Sequence, residues 1–195
     1  MLCDFAAATD AYRRALALRP DSPVTASNLG LNQLWTGRYA EAIESLETAA
    51  RNGPNNFVVW GNLGDAYRCK GLADKAAEAY GRSLALAREN LRLNPRDTQA
   101  HQCIATSLAK TGRAAEAEEP MRQALALDPK DPSVLSDAAT VAALAGRTAE
   151  ALEWLRKAVE GGYCRAIIAR QPEFDHLRAN PVFRQLVQGS DRIHS

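Results

Sequence analysis

Residues 57–95 read FVVWGNLGDAYRCKGLADKAAEAYGRSLALARENLRLNP. Two amphipathic segments flank Lys70-Gly71-Leu72, and Pro95 closes the run. Apolar and small residues recur in both segments at helical spacing. A glycine ends a helix in the left-handed conformation at little steric cost, and a proline stops the next helix. The stretch therefore predicts helix, tight turn, helix. The same phrase is copied along the chain. Gly37 and Gly71 are 34 apart, and so are Gly112 and Gly146. Pro20 to Pro54 and Pro95 to Pro129 are also steps of 34, and Ala8, Ala42 and Ala76 keep the step. A fixed period of this size means one supersecondary unit stacked into an all-α solenoid.

Within the quoted stretch, Trp60-x-x-Leu63-Gly64-x-x-Tyr67 followed by Ala76-x-x-x-Tyr80 resembles the tetratricopeptide repeat (TPR) signature. Leu29-Gly30, Ala42, Leu46, Ala49 and Pro54 match the same frame one unit earlier. Ile104-Ala105, Ala117, Met121, Ala124 and Pro129 match it one unit later, and Ala138-Ala139, Ala151, Leu155 and Ala158 in the last. The resemblance covers roughly residues 4–160. It implies a right-handed α-α superhelix, a concave binding face lined by first helices, and no catalytic centre. The expected organisation is a half repeat at 1–21, full repeats at about 23–56, 57–97, 98–131 and 132–162, and a helical cap and tail at 163–195. Ankyrin repeats have a similar length, but their Thr-Pro-Leu-His-type turn is absent.

Two irregularities interrupt the pattern. From Gly71 to Gly112 the step is 41, with seven extra residues between Ala76 and Pro95. Seven residues are close to two helical turns, so the stripe Tyr80, Leu84, Ala87, Leu91 stays in phase. The spacing predicts a long second helix over about 74–93, serving either to stiffen the array or as a ridge that changes its curvature. Pro120 falls inside the next second helix, where a lost backbone hydrogen bond predicts a kink.

The ends differ. The chain opens in mid-unit, so Leu2, Phe5, Tyr12 and Leu16 are expected to lack part of their packing. Either a longer protein supplies the missing first helix, or a partner covers this face. The open half repeat is thus a candidate surface for self-association. At the other end the period stops at Gly161-Gly162. Asn180-Pro181 then predicts a capped helix start, and Phe174, Leu177, Phe183 and Leu186 are expected to cover the last repeat. The segment from Phe174 to Phe183 is similar to the end of TPR regions in bacterial Ser/Thr kinases, adenylyl cyclases and transcription regulators. That likeness implies a regulatory or docking tail.

Composition narrows the functional classes. The formal net charge is +1, which gives no electrostatic case for nucleic acid or an acidic membrane surface. An RNA-binding helical-repeat protein is the alternative reading. No apolar run reaches membrane-spanning length and no signal peptide is evident, so a cytoplasmic, non-inserting protein is expected. The four cysteines form no Cys-x-x-Cys pair, and the expectation is small thiols in a reducing compartment. Cys69 and Cys103 are offset by seven residues along neighbouring first helices, about 10 Å, too far for a disulfide. His101 occupies the slot of Trp60 and reads as a packing residue. No phosphate loop, metal motif or nucleophile motif is present. The expectation is no enzyme, no cofactor and no metal.

What remains is the concave face. Stacking places Ser27, Leu31 and Leu34 there, then Asp65 and Arg68, then Gln102, Thr106 and Lys110, then Ser136 and Thr140. Chaperone-binding TPR proteins clamp a peptide's terminal carboxylate with lysine, arginine and asparagine. Asn62 matches one such position, but Ser27, Leu31, Gln99 and Cys103 stand where others would be, so that clamp is not expected. A mostly neutral polar groove with an apolar entrance near Leu31, Leu34 and Trp35 suits a peptide or partner helix.

Overall fold

A computed structural model describes residues 4–189, and all of the secondary structure in that range is helical. Leu2, Cys3 and His194 lie outside the described residues. Nine consecutive helices pack as antiparallel neighbours: α1 (Phe5–Leu18), α2 (Pro23–Trp35), α3 (Tyr39–Asn52), α4 (Phe57–Cys69), α5 (Ala73–Leu93), α6 (Thr98–Lys110), α7 (Ala114–Leu127), α8 (Pro132–Leu144) and α9 (Thr148–Glu160). A cap follows, made of α10 (Arg165–Ile168), a 3₁₀ turn (Pro172–Leu177) and α11 (Pro181–Gln188). The first helices α2, α4, α6 and α8 also touch one another in that order, which lines them along one face of a solenoid.

Each repeat is punctuated by the same backbone chemistry. The four turn glycines have φ of 77°, 80°, 80° and 76° at Gly37, Gly71, Gly112 and Gly146. After each one, a backbone N–H reaches back to the helix: Arg38 to Gln33, Leu72 to Tyr67, Arg113 to Leu108 and Arg147 to Ala142, all at 2.9 Å. These are Schellman closures, which satisfy carbonyls left over at a helix end. The turns between repeats are fixed from the other side by N-caps. Asn56 accepts from the Val58 and Val59 amides, Asp97 from Ala100, and Asp131 from Ser133 and Val134.

The signature residues pack as their sizes require. At Gly64 a Cβ would lie 2.6 Å from the Tyr80 ring, so α4 and α5 can approach only because it is glycine. Leu63, Ala66, Tyr67, Ala76 and Tyr80 are buried together. The long second helix is α5, 21 residues with Leu84 and Ala87 buried and Leu91 packed beside them against Phe57 and Ile104. α7 runs through Pro120 as one helix, so the proline does not end it. His101 repeats the task of Trp60. Its Nε2 meets the Pro95 carbonyl at 3.0 Å, as the Trp60 Nε1 meets that of Pro54 at 2.8 Å.

The helix α1 is partly covered. Phe5 lies against Trp35 with ring centroids 6.3 Å apart, and the Arg170 guanidinium sits 5.1 Å from its ring. Tyr12 and Leu16 are half-buried. In the cap, Phe174, Leu177 and Ile168 are buried against Ala139, Ala142, Leu152 and Leu155 of the last repeat, with Phe183 packed on Phe174. Cys69 and Cys103 are free, and burial pushes each thiol up to about 11. Cys164 is disulfide-bonded, which departs from the expectation of free thiols in a reducing compartment. No helix among the described residues is long and apolar enough to cross a membrane.

A Cβ at Gly112 would meet nothing within 4 Å, so only its φ of +80° demands glycine. Gly112→Ala should therefore cost about 1–2 kcal/mol. A urea melt with a lowered midpoint and unchanged slope checks it; an unchanged midpoint would show that the turn carries no such strain.

Candidate functional site

Asp65 and Arg68 are three residues apart on α4 and so share one face of that helix. Lys110 is the last residue of α6, where a cation also favours the negative end of the helix dipole. Stacking α6 on α4 brings the three together. The Lys110 Nζ donates to both Asp65 oxygens, at 2.7 and 2.8 Å. From α5, the Tyr80 hydroxyl donates to Asp65 Oδ1 at 2.6 Å and accepts from Arg68 Nε at 3.3 Å.

The fifth member comes from the far end of the chain. Glu173, in the 3₁₀ turn, is 5% exposed and forms an ion pair with Arg68. Lys110 Nζ lies 3.6 Å from the same carboxylate. Two cations therefore face two carboxylates in a sheltered site, the arrangement that buried charges require. Burial alone would pull Lys110 down, but Asp65 and Glu173 outweigh it and hold the ammonium well above its usual range. Arg68 is likewise raised, with Glu173 and then Tyr80 and Asp65 overcoming desolvation. Burial, and next the charge of Asp65, push the Tyr80 phenol far up, so it is a neutral donor.

Gln171, Pro172 and Glu173 thus cross the concave face, with open space on either side. Leu31, Leu34, Trp35, Tyr39 and Arg68 border a narrow crevice against this segment. A second cavity, of about 350 Å³, lies between the first helices and the cap. Gln102, Thr106 and Asp137 line it, with Tyr163, Ile167 and Gln171 on the cap side. Asp137 accepts from Gln102 Nε2 at 2.8 Å. Burial pushes the Asp137 carboxyl up to about 7, against the weaker pull of Lys110 and Gln102.

Leu31, Leu34, Asp65, Arg68, Gln102, Thr106 and Lys110 all border one or both spaces. Ser27, Ser136 and Thr140 do not present an open surface: they are 7%, 0% and 2% exposed. Ser27 is closed in where α2 meets α4, its hydroxyl 3.4 Å from Asn62 Nδ2. Ser136 and Thr140 lie on α8, against which the cap's 3₁₀ turn packs, and the Thr140 hydroxyl turns back to the Ser136 carbonyl at 3.1 Å. Glu173, Tyr80, Asp137 and the cap residues are the members that the sequence did not announce. Asp137 carried one signal, its separation of 35 from Gln102, close to the repeat step. No group of three or more potential metal-ligating side chains occurs among the described residues.

The profile described as tetratricopeptide repeat matches residues 27–90 and 103–163, more than half of the chain. The chain belongs to the tetratricopeptide repeat family. A curated TPR relative is the small glutamine-rich tetratricopeptide repeat-containing protein 2 of Mycosarcoma maydis. It is 31% identical over 87 residues, 45% of this chain but 25% of that protein, so the match spans a quarter of the relative's length. Among solved structures, a thermophilic TPR protein of Thermus thermophilus is 26% identical with a TM-score of 0.61, covering 85% of this chain and 88% of that one. The Cut9–Hcn1 hetero-tetramer of the APC/C shares the fold at 18% identity and TM-score 0.54, over 81% of this chain and 29% of the other.

Two outcomes test the site. Glu173→Gln leaves Arg68 and Lys110 short of a counter-charge and should cost about 3 kcal/mol, within the range for breaking one side of a buried pair. Chemical denaturation measures it, and a loss below about 0.5 kcal/mol would class the contact with solvated surface pairs. The Asp137 pKa is raised on folding from 3.8 to about 7. Its contribution to stability is therefore full below about pH 4 and is lost as pH rises through about 7. Relative to Asp137→Asn, the natural protein should lose several degrees of Tm between pH 5 and pH 8; parallel Tm curves would contradict the assignment.

Proposed function

We propose that this protein is a non-catalytic scaffold that holds a protein or peptide segment on its concave face. The observation that carries the reading is the cap itself: Gln171–Glu173 is a polypeptide segment held there by side chains of α4 and α6. The same surface chemistry that receives this segment, charge pairing beside an apolar wall of Leu31, Leu34 and Trp35, suits a second segment lying alongside it. Leu31, Asp65, Gln102, Thr106 and Lys110 are the positions proposed for contact. Membership of the TPR family supports a protein partner. The likeness of residues 174–183 to the ends of TPR regions in bacterial signalling proteins supports a docking or regulatory role within such a protein. The outer face of α1, with half-buried Tyr12 and Leu16, is the proposed surface for self-association. Two carboxylates and one ammonium on the cavity lining give RNA no attraction, in keeping with the net charge of +1.

The test is selection of a random peptide library on the immobilised full chain, followed by titration of the recovered peptides. They should share a consensus, and Gln102→Ala with Thr106→Ala should weaken them about tenfold, the loss of one or two hydrogen bonds, in a protein that still melts cooperatively with a Tm lowered by several degrees, as loss of the Gln102–Asp137 bond (about 1–3 kcal/mol) requires. No consensus, or peptides indifferent to both substitutions, would overturn the reading.

A further inference from the structure

The cavity between the first helices and the cap is unevenly furnished. At about 350 Å³ it is within the range of ligand sites. Its lining carries two carboxylates, Asp65 and Asp137, and one ammonium, Lys110. Lys110 is fully engaged, bonded to both Asp65 oxygens and shared with Glu173. Asp137 is left with a neutral partner, the Gln102 amide, and no cation lies within 4 Å of its carboxylate among the described residues. On the cap side, the Gln171 Oε1 is shielded from solvent and has no donor. Asp137 therefore has a hydrogen bond but no paired counter-ion, and the Gln171 amide oxygen has no donor at all, so each has capacity for one more donor.

We infer that this cavity receives an arginine side chain of the bound partner segment, with Asp137 as its counter-ion and Gln171 as a second acceptor. The inference rests on the concave-face reading above and names the residue that the face selects. A metal ion would need ligands converging on one point, whereas here the acceptors are spread over α8 and the cap. A guanidinium carries five N–H donors in a flat fork and can serve separated acceptors at once. Val58, Trp35 and Ile167 in the same lining provide apolar surface for its three-carbon stem. Citrulline has the same shape without the charge and supplies the discriminating control.

The full-length protein is titrated with Nα-acetyl-arginine amide and, separately, with Nα-acetyl-citrulline amide, following the side-chain amide signals of Asn62, Gln99 and Gln102 by NMR. Saturable shifts with arginine, and about tenfold weaker binding of citrulline, are expected from loss of a charge-assisted hydrogen bond. Asp137→Asn should weaken arginine about tenfold as well, while Asp74→Asn, an exposed acid on α5, leaves it unchanged. Equal binding of arginine and citrulline, or indifference to Asp137→Asn in a variant that retains its Tm, would overturn the inference. Library peptides that need Gln102 and Thr106 yet contain no arginine would also overturn it, and would leave the concave-face reading standing. Asp137-dependent arginine binding with no peptide consensus would do the reverse.

Discussion

The carboxylate of Glu173 between Arg68 and Lys110 determines the shape of everything around it. A TPR array is a chain of nearest-neighbour contacts, and nothing in the repeat itself ties one end to the middle. Here the cap reaches back to α4 and α6 and meets two cations that are already positioned by Asp65 and Tyr80. Neither side of this arrangement is tolerable alone: Glu173 would be a buried anion, and Arg68 with Lys110 a surplus of positive charge. Satisfying both requires the cap to cross the concave face. The cavity, the crevice and the covering of α8 by the 3₁₀ turn are consequences of that crossing.

The hydrophobic part of the cap makes the crossing possible. Phe174 and Leu177 are 0% and 1% exposed, seated on the last repeat directly beside Glu173 in sequence. Fixing Phe174 there leaves its neighbour aimed along the inner face toward α6 and α4. An ion pair gains little when it must order two flexible side chains in water. Placed next to a packed aromatic residue and sheltered from solvent, the same pair has most of its ordering cost already met by apolar burial. The electrostatic contact and the apolar one are therefore a single device.

The repeat was legible because it is local. The turn glycines, the capping Asn and Asp, and the small-large alternation of Gly64 and Tyr80 each act within about 35 residues, and the period repeats the message. Even the seven-residue extension of α5 could be placed, since two helical turns preserve its buried stripe. His101 could be assigned to packing because it occupies a numbered slot. The site was legible only in part. Asp65, Arg68, Gln102, Thr106 and Lys110 follow from the stacking of first helices. Glu173 does not, because the period ends at Gly161-Gly162 and no spacing rule relates position 173 to 68. Ser136 and Thr140 were misplaced for the same reason: on an uncapped array their face would be open, and it is the cap that closes it. Asp137 occupies the same helix but projects toward the cavity, paired with Gln102.

The span of the Glu173–Arg68 contact sets it apart from the packing of neighbouring repeats. The pair is 105 residues apart. Neighbouring repeats can associate as soon as each pair of helices forms, and low separation makes such steps fast. Closing the cap onto α4 requires most of the array to exist first, since α4, α6 and α8 together make the surface it lands on. Loop entropy grows only slowly with length, so the closure is affordable in free energy but late in time. The ion pair thus closes late, and the C-terminal end of a solenoid that would otherwise fray independently is made to open together with its middle.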